Sequence, residues 1–210
     1  MRLTIRLAVV GLVLMLAQGV VRAQGFFGGF RGNPLMLLGQ ESVQKELKLT
    51  DEQTKKVDEL RQKTREKFQE IFGGDEAERP KKMQELNEEN RKAIDALLSP
   101  EQSKRLKQIV YQQRGAAALA DPEAAKALNL SEEQQEKVKT INQEMQAAMR
   151  ELFTPGQPPD DDTRKKMEDV RKSSGEKLLA VLSPEQKTKW TELQGEPFKG
   201  EIRVGPPRQQ

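Results

Sequence analysis

Leu49-Thr50-Asp51-Glu52-Gln53 is the first of four stretches with one pattern, the others being Leu98-Ser99-Pro100-Glu101-Gln102, Leu130-Ser131-Glu132-Glu133-Gln134 and Leu182-Ser183-Pro184-Glu185-Gln186. A Ser or Thr followed three residues later by Gln is a capping box. The hydroxyl accepts a hydrogen bond from the backbone N–H of the Gln, and the Gln side chain reaches back to the N–H of the cap residue. The pattern predicts four helix starts, capped by Thr50 and Gln53, Ser99 and Gln102, Ser131 and Gln134, and Ser183 and Gln186.

Other residues of the motifs agree with helix starts. Pro100 and Pro184 fall at the first helical position, where the missing N–H costs nothing. The four glutamates fall at the second position, where a negative charge meets the positive end of the helix dipole. No apolar residue stands where a hydrophobic staple would need one, so we expect the four leucines to be core contacts.

The chain also repeats itself. A shift of 81 residues aligns the first motif with the third, and with them Val57 with Val138. A shift of 84 residues aligns the second motif with the fourth, and with them Met83 with Met167. The difference of three residues falls in a loop, where insertions are tolerated. The sequence therefore predicts two tandem units, residues 40–115 and 122–194, joined by a linker at 116–121.

Within each unit, apolar residues recur at three- and four-residue steps between charged ones, which predicts amphipathic helices. Each unit reads as short helix, long helix, loop, long helix and shorter helix. The aromatic content is 4% and the charged content is 33%, which favours thin helical packing over a thick core. We expect an all-α fold in which two tandem helical-hairpin units form an elongated, curved bundle.

The two ends of the chain read differently from the units. Arg2 and Arg6 precede a short apolar run that ends at Ala23, which is typical of a secretory signal peptide over residues 1–23. An uncleaved N-terminal anchor is the alternative interpretation. We expect a flexible Gly/Phe-rich arm over 24–39, with a short helical turn from Pro34 to Leu38, and a disordered tail over 195–210.

The charge balance gives no electrostatic argument for nucleic acid or an anionic membrane as partner. The chain has 36 basic and 33 acidic side chains, and loss of the three arginines of residues 1–23 would leave 33 of each. The sequence pI of about 9.0 is therefore mostly a property of the signal peptide. An evenly mixed chain lacks the basic surface that binds phosphates.

The absence of Cys and His argues against disulfides, enzymes and metal sites. Transition-metal sites seldom lack both residues, and His is the usual general base at neutral pH. No phosphate-binding glycine motif occurs. Asp160-Asp161-Asp162 lacks the spaced ligands and the glycine of a calcium loop, so we interpret it as a cap of the next helix. We expect no enzyme, no cofactor and no metal.

Methionines and phenylalanines on the apolar stripes allow two interpretations. They form the helix–helix core, or they form an exposed surface that adapts to varied partners, since Met and Phe repack readily. Phe72 and Phe153 lie at equivalent helix ends beside loops, where burial is hardest. The candidate contact residues are Phe68, Phe72, Met83, Met149, Phe153 and Met167.

The four L-[ST]-x-x-Q motifs, the signal peptide and the charged helical halves resemble the Spy/CpxP family of periplasmic proteins, also called the LTXXQ-motif family. The resemblance covers residues 40–194. Members normally carry two motifs in one chain, and this chain carries four. The zinc-associated branch of the family uses His or Cys, which are absent here, so zinc binding is not expected.

The resemblance implies small helical hairpins that dimerise into a curved cradle and bind unfolding proteins without ATP. We therefore expect a periplasmic, holdase-type chaperone for unfolded or misfolded polypeptides, acting in the envelope stress response. One alternative is an inhibitor that docks on the periplasmic domain of an envelope-stress sensor kinase, and another is a non-enzymatic structural envelope protein. The tandem copy implies a monomeric pseudo-dimer or a homodimer.

Overall fold

The structure, a computed structural model, describes residues 32–154 and 157–203. The predicted signal peptide and most of the predicted arm lie outside the described residues. The described part of the chain is all-α, as the periodicity predicts, and contains no strand. Its α-helices are α1 (Pro34–Leu38), α2 (Glu41–Glu46), α3 (Asp51–Gly73), α4 (Arg79–Leu97), α5 (Pro100–Arg114), α6 (Pro122–Ala127), α7 (Glu132–Glu151), α8 (Asp161–Ala180) and α9 (Pro184–Gln194). No helix among the described residues is long and apolar enough to cross a lipid bilayer.

Each of the four motifs starts a helix through a reciprocal capping box. At the start of α3 the Thr50 hydroxyl accepts from the backbone N–H of Gln53 at 3.1 Å, and the Gln53 side chain accepts from the N–H of Thr50 at 3.0 Å. The same two bonds start α5, α7 and α9 at Ser99, Ser131 and Ser183. These bonds satisfy backbone donors that a helix start would otherwise leave unpaired.

The short helices α2 and α6 end in the same way. In each, a residue in left-handed conformation, Lys48 (φ 51°) or Asn129 (φ 52°), precedes the motif leucine. The N–H of Leu49 donates to the carbonyl of Gln44 at 3.0 Å, and an equivalent bond ends α6, so both stops are Schellman motifs. The two left-handed residues are 81 positions apart, so the sequence repeat is also a repeat of backbone conformation.

The motif glutamines also bind one another, which joins the start of α3 to the start of α5. Gln53 Nε2 donates to Gln102 Oε1 at 2.8 Å and to the carbonyl of Leu97 at 2.9 Å. Gln102 Nε2 donates to Gln53 Oε1 at 3.1 Å and to the carbonyl of Leu47 at 3.2 Å. Each amide thus donates twice and accepts twice. We call this arrangement a glutamine pair.

A second glutamine pair joins α7 to α9. Gln134 Nε2 donates to Gln186 Oε1 at 2.7 Å and to the carbonyl of Val181 at 2.8 Å. Gln186 Nε2 returns a bond to Gln134 Oε1 at 3.0 Å and also reaches the carbonyl of Leu128 at 3.3 Å. Because a carboxylate has no N–H to donate, Glu could form the capping box but not the pair.

The main core lies at the glutamine-pair ends of the helices. Helix α5 contacts α1, α9 and the 3₁₀ helix Gly115–Ala120. This 3₁₀ helix occupies the predicted linker, buries Ala118 and Leu119, and also contacts α6, α7 and α8. Three of the motif leucines are buried and Leu49 is half-buried against the same core. The segment between the two halves is therefore part of the core.

The one Tyr and the one Trp of the chain meet where α5 contacts α9. The ring centroids of Tyr111 and Trp190 are 5.5 Å apart with an interplanar angle of 43°. Both side chains are buried. Burial raises the pKa of Tyr111 to about 12, and the carboxylates of Asp121 and Glu123 act in the same direction. The contact between the two halves therefore contains a phenol that resists ionisation.

Two expectations for the chain ends need correction. The predicted helical turn is α1, capped by Asn33, and its leucines Leu35, Leu37 and Leu38 are buried, so the flexible arm predicted over 24–39 is wrong for this part. The disordered tail predicted over 195–210 is wrong for residues 195–203. They are ordered because Phe198 and Ile202 pack against the main core. Residues 24–31 and 204–210 lie outside the described residues.

The first prediction concerns the glutamine pair. Replacing Gln53 by Glu keeps the capping oxygen but removes both N–H donors and places a carboxylate against the carbonyl of Leu97 and the Oε1 of Gln102. We expect the free energy of unfolding to fall by about 2 kcal/mol. Urea unfolding followed by far-ultraviolet circular dichroism measures the change.

The control for Gln53→Glu is Gln69→Glu, an exposed position on the same helix, for which we expect a change within about 0.5 kcal/mol. Thr50→Ala removes the cap alone and should cost about 1 kcal/mol. A loss in Gln53→Glu no larger than the losses in these two variants would contradict the role of the pair.

The second prediction concerns Tyr111. The pKa of Tyr111 is about 12 in the folded chain and near 10 in the unfolded chain. The neutral phenol therefore makes its full contribution to the free energy of unfolding below about pH 10. That contribution is lost as the pH rises from about 10 to about 12. We expect the wild-type chain to lose more stability over this range than Tyr111→Phe, as measured by chemical unfolding at each pH. Lysine side chains titrate in the same pH range in both proteins, so the comparison removes their effect. Equal losses of stability in the two proteins would overturn the prediction.

Candidate functional site at the ends of two helix pairs

Five of the six candidate contact residues lie on two helix pairs, and the sixth, Phe153, follows the end of α7. Helix α3 packs against α4, and α7 packs against α8. The first pair is antiparallel, since Gln53 of α3 bonds to the carbonyl of Leu97 at one end and Arg79 bonds to the carbonyl of Phe72 at the other. We call the ends far from the glutamine pairs the tips. The first tip comprises Phe68, Phe72 and Met83, and the second tip comprises Met149, Phe153 and Met167.

The first tip is built around two stacked phenylalanines. Phe68 and Phe72 are one helical turn apart on α3, with ring centroids 4.4 Å apart and an interplanar angle of 28°. Gly73 ends the helix directly after them, so the second ring has no further turn to cover it. The Phe72 side chain is 44% exposed, and Phe68 and Met83 are half-buried. The stack therefore presents an aromatic surface at the end of the pair.

Arg79 lies across the loop from this stack. Its guanidinium carbon is 5.6 Å from the centroid of the Phe72 ring, and its Nη2 donates to the Phe72 carbonyl at 3.1 Å. The Nε of Arg79 is buried and has no hydrogen-bond partner. A guanidinium over an aromatic face is an attractive arrangement. The first tip therefore combines an exposed ring with a positive charge. No spacing rule links position 79 to position 72 across a glycine loop, so the sequence gives no sign of this contact.

The second tip carries a methionine, Met149, at the position that corresponds to Phe68 in the stack of the first tip. Met149 lies on the last turn of α7, Phe153 follows the end of that helix, and Met167 lies on α8. All three side chains are half-buried. The N–H of Phe153 donates to the carbonyl of Arg150 at 3.1 Å, which keeps the residue in a turn beside the helix end. Phe153 is thus less exposed than Phe72, although the repeat places the two at equivalent positions.

None of the six candidate residues belongs to the main core or packs against it. Ile71 and Leu86, which flank the first tip, are buried but are also separate from the main core. The two interpretations of the apolar stripes therefore apply to different parts of each helix pair. Near the glutamine pairs the stripes form core, and near the tips they stay half-exposed.

The motif residues offer no binding site of their own. The hydroxyls and amides of the four capping boxes are bonded to helix ends and to one another. Asp160 caps α8, because its carboxylate accepts from the N–H of Thr163 at 2.8 Å. Hydrogen bonding from the Thr163 side chain, and next from this N–H, holds the pKa of Asp160 below its usual value. Within residues 32–154 and 157–203, no group of three or more metal-ligating side chains is placed to hold an ion.

Comparison with known proteins gave no significant match. No protein-family model, no curated protein and no solved structure matches this chain.

Proposed function

We propose that this protein is an exported, ATP-independent chaperone of the holdase type that binds unfolded or misfolded polypeptides through its two tips. The observation that carries the proposal is the exposed, stacked Phe72 at the end of the first helix pair, outside the main core. The resemblance of the four motifs to the Spy/CpxP family and the predicted signal peptide support a periplasmic location and this class of function.

The side chains at the tips suit a variable partner. Methionine has a flexible, polarisable side chain that adapts to irregular surfaces. A half-exposed phenylalanine buries additional apolar area when an apolar segment covers it. Met83, Met149 and Met167 are half-buried, so they are accessible without being fully solvated. Such a surface binds many apolar segments weakly, as a chaperone without nucleotide-driven release requires.

Charged side chains border the first tip and keep it soluble. Lys67 of α3 pairs with Glu89 of α4 next to Phe68, and Lys82 pairs with Glu78 at 2.6 Å beside the loop. These pairs are solvent-exposed, so each contributes little stability. They surround the apolar surface with both signs of charge, which limits association between copies and speeds encounter with charged clients.

The third prediction tests the tips directly. A chemically denatured, aggregation-prone client is diluted into near-stoichiometric protein without nucleotide, and light scattering follows aggregation. The protein is the chain of residues 24–210 expected from cleavage after Ala23. We expect wild-type protein to suppress scattering and the double variant Phe72→Ser/Phe153→Ser to lose most of this effect. Of the two single variants, Phe72→Ser should lose more suppression than Phe153→Ser.

The matched control is Leu179→Ser, which removes an exposed apolar side chain (37% exposed) outside the tips. Circular dichroism and urea unfolding establish that each variant keeps its helicity and stability. If Leu179→Ser weakens suppression as much as Phe72→Ser does, the tips are not the binding surface. If wild-type protein fails to suppress aggregation of several unrelated clients, the chaperone proposal is wrong, and a dedicated partner such as a sensor-kinase domain takes its place.

A further inference from the structure

The chain segment after α9 is bound to the first half of the molecule through its backbone. Gln112 of α5 makes three of these bonds. Its Nε2 donates to the carbonyls of Gln194 at 2.7 Å and Glu196 at 2.8 Å, and its Oε1 accepts from the N–H of Phe198 at 2.7 Å. A side-chain amide that donates to and accepts from main-chain groups recognises an extended backbone without reading its side chains.

A second amide binds the other end of the same segment. Gln40, which precedes α2, donates through Nε2 to the carbonyl of Arg203 at 3.3 Å and accepts through Oε1 from the N–H of Arg203 at 3.1 Å. Between the two amides, the Ser42 hydroxyl donates to the carbonyl of Glu201 at 2.6 Å. We call the surface formed by Gln40, Ser42 and Gln112, with the core side chains beneath, the tail-binding surface.

Three side-chain positions of the segment fit this surface. Phe198 and Ile202 pack against the main core, four residues apart. Gly200 lies between them, and a Cβ there would be 2.3 Å from the ring of Phe198 and 2.8 Å from the Cβ of Ser42, so both the bound ring and the surface favour glycine. Lys199 and Glu201 are exposed. The bound segment therefore reads Phe-x-Gly-x-apolar-Arg from 198 to 203.

The N-terminal arm contains the same pattern. Phe26-Phe27-Gly28-Gly29-Phe30-Arg31 matches Phe198-Lys199-Gly200-Glu201-Ile202-Arg203 at the phenylalanine, the glycine, the second apolar residue and the arginine. The pattern Phe-x-Gly-x-apolar-Arg occurs at these two places in the chain and nowhere else. The arm thus has every side-chain feature with which the tail fits its surface.

We propose that the tail-binding surface also accepts the arm, residues 26–31, of a second copy of this chain. Along the surface, the tail passes first Gln112 and then Gln40. An arm bound in the same direction would place Arg31 at Gln40. In its own chain Arg31 is joined to Gly32, which lies against Arg114, near the Gln112 end. The arm of the same chain is therefore attached at the wrong end of the surface to bind in this direction, whereas the arm of a second copy is not.

The tail and the incoming arm compete for one surface. The tail is joined directly to α9, so its effective concentration exceeds that of a free arm, and the arm binds when the tail is released. Release of the tail is thereby coupled to self-association. This inference does not depend on the chaperone proposal, because the tips contribute no residue to the tail-binding surface.

The fourth prediction is a peptide-binding test. The protein is the 24–210 chain with Phe198→Ser/Ile202→Ser to loosen the tail and Phe26→Ser/Phe30→Ser to disable its own arm. Fluorescence anisotropy follows a labelled peptide of residues 24–32. We expect saturable binding. Gln112→Leu should weaken it about tenfold or more, because Gln112 bonds the tail backbone at Glu196 and Phe198, which align with Gln24 and Phe26 of the peptide. Gly28→Val in the peptide should weaken it as much.

A peptide of residues 194–203 is the positive control. If it binds and the arm peptide does not, the proposal is overturned. Binding of the arm peptide that is indifferent to both Gln112→Leu and Gly28→Val also overturns it. Should the serine variants lose helicity, Gly200→Val provides a second way to loosen the tail, because its side chain would collide with the Phe198 ring and with Ser42.

Self-association gives an independent readout. Light scattering after size exclusion compares wild-type protein with Phe198→Ser/Ile202→Ser over a concentration series. We expect the variant to show a larger, concentration-dependent mass, and the added change Phe26→Ser/Phe30→Ser to return the mass to the wild-type value. A mass that stays at the wild-type value, or an increase that survives loss of the arm phenylalanines, rules out the arm as the occupant.

Discussion

The reciprocal amide bonds between the motif glutamines are the constraint on which the architecture depends. One side chain caps its own helix, binds the amide of the partner motif and binds the carbonyl that ends a neighbouring helix. Gln53 and Gln102 do this in the first half, and Gln134 and Gln186 repeat it in the second. The residue that starts each helix thus also places two helices side by side, and Glu could do the first but not the second.

Because the glutamine pairs and the main core share one end of the long helices, the other end has little to pack against. Apart from the main core, the apolar residues that are buried in the described part of the chain are Ile71 and Leu86, both beside the first tip. Local stability follows the density of buried apolar contacts, so the tips open at lower cost than the core ends of the same helices. The surface proposed to bind unfolded polypeptides is therefore also the surface most able to adapt to them.

The sequence is informative where a residue acts within its own turn and silent where it acts across the fold. The capping boxes follow from Ser or Thr and Gln three residues apart, and the exposure of Phe72 follows from the glycines after it. The pairing of Gln53 with Gln102 joins positions 49 residues apart, and no local pattern encodes it. The sequence predicts a disordered tail over 195–210 because six of these sixteen residues are glycine or proline. Residues 195–203 are held by the packing of Phe198 and Ile202 on the main core and by hydrogen bonds from Gln112, and no composition rule connects Gln112 to residues 194–198.

The contact between Tyr111 and Trp190 gives the molecule a single intrinsic chromophore pair. The chain has one residue of each type, and they meet where the two halves join, at 5.5 Å between ring centroids. Tryptophan emission is therefore governed by this one joint, while the helix pairs, which contain neither residue, contribute to the helical dichroism and not to that emission. Loss of helical signal at unchanged tryptophan emission would mean that a helix pair had melted with the joint intact. A change in tryptophan emission at unchanged helical signal would mean that the two halves had separated while each stayed folded.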